Sequence, residues 1–195
     1  MTRQKLSKIM LGTNFVCCLF YAMSYPYIYA ETLKVVSSRY ISGEQIISCL
    51  GVVLLGILWN RKGEVLYKHF TLIIILELLA DAILFGHVLI TGDLKFYFVL
   101  NVLIYAFLSR NVTNGGIKLR AKVHPDEKSR ERYDINCNIV SSLATLLGSG
   151  FALLVPVSVT TLFVFALIGN TFDNICYYYI YRVVNRLAAN AHKTD

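Results

Sequence analysis

The sequence predicts an all-α integral membrane protein: a single domain over residues 1–195 with six transmembrane helices and both termini cytoplasmic. Three observations lead there. Six apolar stretches, each close to the length of a bilayer span, divide the 195 residues. Hydrophobic residues make up 56% of the chain and charged residues only 16%, with mean hydropathy +0.56, against about 25% charged residues in an ordinary globular chain. The Lys and Arg residues, finally, sort by gap. Arg3, Lys5 and Lys8 precede the first stretch, and Arg61, Lys62 and Lys68 separate the second from the third. Lys118, Arg120, Lys122, Lys128, Arg130 and Arg132 separate the fourth from the fifth, and Arg182, Arg186 and Lys193 follow the sixth. The other gaps hold only Lys34, Arg39 and Lys95. A soluble core has no reason to sort charge this way, whereas cytoplasmic loops retain Lys and Arg.

The first span is expected at 10–29, with Pro26 near its outer end and Tyr21, Tyr25, Tyr27 and Tyr29 in its outer half as an interfacial belt. An outer loop follows. Ser42 with Gln45 reads as a capping box that starts the second span, 45–59. Asn60 to Glu64 is predicted as a short inner turn. The third span is 70–90, closed by an outer turn at Thr91-Gly92-Asp93. The fourth begins near Phe96 and has two possible ends. It stops at Ser109, or it continues to Ile117 with a polar inner half; 96–117 spans the bilayer better. Lys118 to Asp134 reads as a solvated inner loop. The fifth span is 135–154, Val155-Pro156 turns the chain, and the sixth is 159–181.

Several function classes are disfavoured. The net charge of +7 alternates by loop, whereas a nucleic-acid interface collects its basic residues on one face. Anionic headgroups, not nucleic acid, are the expected partner of the basic loops. The N-terminus has signal-peptide features, but its apolar run is long and aromatic, and removing it would upset the charge alternation; it is expected to stay as the first helix. Cys17, Cys18, Cys49, Cys137 and Cys176 show no metal-ligand or C-x-x-C spacing, so no disulfide, metal or cofactor is expected.

Ionisable residues at membrane depth are costly and face protein or water. Glu77 and Asp81 in the third span lie four apart, hence on one helix face, and require a partner, a cation or a proton. Asp173 in the sixth span lies between Asn170 and Asn174. If the fourth helix is long, Arg110 is a further embedded charge and a natural counter-ion. Asn14, Asn101 and Tyr105 extend the polar set. Glu77, Asp81, Arg110, Asp173 and Asn101 are the candidates for a substrate or proton pathway. In the fifth span Ala144, Gly148 and Ala152 repeat every four residues, the spacing that lets helix backbones approach closely. Ser149, between two glycines, has no base in reach as a nucleophile. The Asn111-Val112-Thr113 sequon lies at an inner helix end.

The turn Gly56-Ile57-Leu58-Trp59-Asn60-Arg61-Lys62-Gly63-Glu64 resembles the cytoplasmic signature of the major facilitator superfamily, Gly-x-x-x-Asp-Arg-x-Gly-Arg-Arg, in the same place. Gly56, Arg61 and Gly63 match; Asn60 replaces the aspartate, and Glu64-Val65 the basic pair. Arg110 with Gly115-Gly116, and Pro125, Arg130 and Arg132 before a glycine-rich helix, are similar at looser spacing. Members of that family usually have two six-helix halves, and this chain matches one. The resemblance implies a half-size transporter or permease-like subunit of the cell membrane, moving a small solute, working as a homodimer or with a partner half, and not an enzyme. Two other readings remain: the substrate-binding membrane subunit of an ATP-driven uptake system, and a non-transport role in immunity, structure or peptide processing, for which His124 and Cys137 near the cytoplasmic face are the relevant pair.

Overall fold

The computed structural model describes residues 2–191, and among these every regular element is helical. Lys193 lies outside the described residues. The elements are α1 (Arg3–Leu33), α2 (Ser38–Lys68), α3 (Phe70–Thr91), α4 (Leu94–Val123), α5 (Glu127–Leu154) and α6 (Val159–Ala191). Each is long and apolar enough to cross a membrane. Large apolar side chains such as Ile83, Leu146 and Leu154 point outward, the surface that a lipid solvent accepts and water does not.

Two apolar clusters fix how the helices run. One holds Leu6 of α1, Tyr67 of α2, Phe70 of α3, Leu119 of α4, Tyr133 of α5 and Val184 of α6. The other holds Ile28, Phe85, Tyr97 and Phe163, from α1, α3, α4 and α6. Consecutive helices therefore alternate in direction, and the chain enters and leaves at the same end of the bundle. The Lys and Arg residues counted above as inner, as far as they are described, fall at that end, beside the first cluster.

Small residues set the closest contacts. A Cβ built at Gly148 would lie 2.6 Å from the Leu19 carbonyl oxygen and 2.9 Å from Ala22 Cβ, and Ala144, one turn earlier, is fully buried. Close approach along this stripe is what the four-residue repeat predicts. At Gly169 a Cβ would meet Phe20 Cβ at 2.8 Å. Helix α1 is thus clasped between α5 and α6. On the other side, Gly51 of α2 packs directly on the backbone of Ala106 in α4.

The turn at Gly92 forms as expected. Gly92 adopts φ 69°, ending α3 in the left-handed conformation that glycine accepts without penalty. Asp93 then caps α4, accepting hydrogen bonds from the Lys95 and Phe96 amides at 3.0 Å each.

Four expectations are corrected. Helix α2 starts at Ser38, so Ser42 lies inside the helix rather than capping it. Asn60 to Glu64 is not a turn: the helix runs on with a kink at Lys62 (φ −127°, ψ 21°), and the break comes at His69. Burial of Tyr67 under Phe70 and Tyr181 draws this extra turn into the bundle. Helix α4 takes the longer of its two expected courses, past Ser109, but does not end at Ile117; a π-helical segment, Ile104–Ser109, carries it on to Val123. Most of Lys118 to Asp134 is therefore helix, with only His124 to Asp126 between α4 and α5. Charge favours this outcome. Arg120 and Lys122 complement the C-terminal dipole of α4, and Asp126 caps α5 by accepting from the Ser129 amide at 2.8 Å. Arg120 also donates to Asp134 at 2.7 Å, tying the two helices together.

Candidate functional site

The site begins with one face of α3. Phe70, Ile74, Glu77, Asp81, Leu84, Phe85 and Val88 are its buried residues, and their three- and four-residue spacing is that of a single helical stripe. The stripe is apolar at both ends, where it enters the two clusters, and acidic in the middle. Glu77 is 7% exposed and Asp81 3%. The same face that anchors α3 thus carries two carboxylates to mid-bundle.

They open into a cavity of about 510 Å³, within the usual size range of small-molecule sites. Glu44 of α2 and Asp173 of α6 bring its carboxylates to four, and Asn101, Asn170 and Asn174 add amides. Tyr21, Tyr25 and Tyr29 from α1, Tyr105 from α4 and Tyr177 from α6 supply the aromatic wall. Tyr21 and Tyr25 stack at 4.5 Å, and the Tyr25 hydroxyl accepts from Asn170 Nδ2 at 2.8 Å, which fixes the plate they form. Tyr21 and Tyr105, 59% and 48% exposed, mark the open side.

Polar neighbours only partly satisfy the acids. Ser109 and Asn174 flank Glu77, Asn170 flanks Asp81, and the Cys17 thiol lies beside Asp173. Glu77 Oε2, Asp81 Oδ2 and Asn174 Oδ1 are buried without a hydrogen-bond partner. Buried acceptors in that state are uncommon and costly. Among the described residues none of the four carboxylates forms a salt bridge.

Glu77, Asp81, Asn101 and Asp173 are therefore brought together, and Arg110 is not. Its guanidinium lies over the Tyr105 ring, 5.1 Å from the centroid, and its Nε is buried without a partner. Phase explains this. Arg110 directly follows Ser109, which faces the cavity, and so points about 100° away around the helix. The π-helical segment shifts the facing position from Leu108 to Ser109, so α4 offers the cavity Asn101, Tyr105, Ser109 and Thr113. Asn14 lies off the main cavity: it donates to Ser141 Oγ at 2.6 Å, joining α1 to α5.

Asp173 and Tyr177 also line a smaller cavity of about 90 Å³ toward the basic end, with Asn14, Arg120 and Cys137. The Arg120–Asp134 ion pair stands at that end. Asp173 is thus the carboxylate shared between the main cavity and the basic end.

At the residues of the signature-like turn, a Cβ on Gly56 would touch nothing, and Asn60 and Arg61 are exposed. The link from this segment to α4 runs instead through Glu64, which pairs with Lys118 at 2.7 Å beside Gly63. His124 Nδ1 bonds Ser129 Oγ at 2.9 Å, and its ring packs on Tyr133 at 4.7 Å; Cys137 sits by Tyr133 and Arg120.

No sequence cue marks Glu44, expected in the outer loop, or Ser109, one of the two expected ends of the fourth span. Extending α2 back to Ser38 and continuing α4 through the π-helical segment place both on the cavity. The chain matches no family model, no curated protein and no solved structure.

Proposed function

We propose that this chain is a small-solute permease of the cell membrane, with both termini cytoplasmic, whose solute and coupling-proton path runs through the cavity at mid-bundle. The observation that carries the reading is the pair of buried, unpartnered carboxylate oxygens on Glu77 and Asp81, two residues that also line the polar cavity at mid-bundle. Embedded acids facing a cavity mark ion, proton and substrate paths. The alternation of Lys and Arg supports the orientation. Asp173 continues the path toward the basic end. The open side at Tyr21 and Tyr105 is where a second copy or a partner half would complete the cavity, the arrangement that the resemblance to the major facilitator superfamily implies.

Proteoliposomes loaded with a pH-sensitive dye test the reading. Small amines, amino acids, sugars and carboxylates are added in turn with the pH gradient imposed. The expected result is a solute-dependent change of internal pH that is absent in Glu77→Gln and Asp81→Asn. Flux unchanged in both variants removes these acids from the path. Silence toward every solute class, in vesicles where the protein is folded, refutes the permease.

A further inference from the structure

We infer that the cavity selects an organic cation, an amine or quaternary ammonium with an apolar body. The inference deepens the permease reading and rests on it for the site, though not for transport.

Charge comes first. Glu44, Glu77, Asp81 and Asp173 line the cavity, and among the described residues no Lys, Arg or His does. Arg110, next to Ser109, is held outside the cavity on Tyr105. Every unsatisfied buried polar atom on the cavity wall is an acceptor: Glu77 Oε2, Asp81 Oδ2 and Asn174 Oδ1. A ligand that completes these atoms brings positive charge or N–H donors; an anion would bring its charge to a low-dielectric space already lined by four acidic residues.

Shape and wall chemistry narrow the class. A space of about 510 Å³ is many times the volume of one water, so a proton or a single water leaves it unfilled. Among the described residues no group of acids, histidines or cysteines is arranged to hold a metal ion. The tyrosine wall accounts for the remaining volume. Cations bind over tyrosine faces within about 6 Å of the centroid, and this chain's own cations do so, Arg110 over Tyr105 at 5.1 Å and Lys122 over Tyr67 at 4.1 Å among them. The stacked Tyr21–Tyr25 plate is fixed in place. Carboxylates opposite aromatic faces recognise a charged nitrogen that carries hydrocarbon.

Equilibrium binding to the full chain in lipid nanodiscs tests this with three probes: benzyltrimethylammonium, phenylacetate and glucose. The expected result is saturable binding of benzyltrimethylammonium alone, weakened by about 30-fold or more in the Glu77→Gln/Asp81→Asn double variant, as for a desolvated charge pair that loses one partner. Asp173→Asn, on a different helix, gives an independent loss of about tenfold or more should the double variant fail to fold. Phenylacetate or glucose binding as tightly as the cation overturns the inference. So does cation binding that survives both substitutions, and so does no binding of the cation. Flux separates the two readings: a cation bound but never carried refutes the permease and leaves the cation site, whereas carriage of phenylacetate or glucose does the reverse.

Discussion

Phe70 and Glu77 occupy the same buried face of α3, two turns apart, in opposite circumstances. Phe70 is fully buried against the rings of Tyr67, Tyr177 and Tyr181, and Gly115 is a glycine because the Phe70 ring occupies the space a Cβ would need. Glu77 is nearly as buried, yet one of its oxygens has no partner. The aromatic end is packed for stability, each ring pair adding about 0.5–1.5 kcal/mol beyond area. The acidic middle is not: buried acceptors there lack partners, which costs stability. A helix whose ends hold it and whose centre destabilises it is consistent with a scaffold at the ends and a binding or conducting region between them.

Substitutions on the two regions should move stability in opposite directions. Phe70→Ala is expected to have the largest effect, a loss of about 3–5 kcal/mol, read as the melting temperature in detergent micelles; a shift no larger than that of an exposed residue such as Leu146 would show that the aromatic cluster does not hold the bundle. Glu77→Met and Asp81→Leu are expected to raise stability by about 1–3 kcal/mol, because each removes a buried polar group that lacks a partner, while abolishing flux. A loss of stability from either would mean that the acids are structural and the comparison wrong. Gly148→Leu, against the Leu19 carbonyl, should cost about 1–3 kcal/mol through overpacking, separating α1 from α5 with the cavity acids untouched. Tyr25→Phe deletes the acceptor of Asn170 and should cost about 1 kcal/mol, with solute affinity falling more than stability because the aromatic plate loosens.

The smallest effect concerns pH. Burial holds the His124 imidazole below its ordinary value. A base depressed in the folded state leaves the unfolded chain binding more protons, so its contribution is present above the unfolded pKa of about 6.5 and falls away as pH drops through the folded value. Melting curves from pH 8 to pH 5 should show that decline, and His124→Phe should flatten it.

Much of this was legible before the structure. Hydropathy located six helices because a lipid solvent leaves the chain few alternatives, and the spacing of Glu77 and Asp81 put them on one face. The Ala144–Gly148 stripe announced its close contact. The helix ends were less legible. The charge run from Lys118 to Asp134 has the composition of a solvated loop, and only the Asp126 cap and the Arg120–Asp134 pairing reveal it as two helix termini. Ser109 on the cavity was invisible for another reason: a π-helical segment changes the residue count per turn, and no glycine or proline signals it. Reading Arg110 as a counter-ion failed because distance along a helix was considered without angle around it.

The first and last helices leave the bundle at one end. A tether from Ala191 of one copy to Arg3 of the next would run along a single membrane face and never pass through hydrocarbon. Tandem concatenation would therefore give both copies the same orientation with no loop changing its charge. Fusion of two such units needs only a polar linker, which makes obligate pairing accessible to engineering in a single gene.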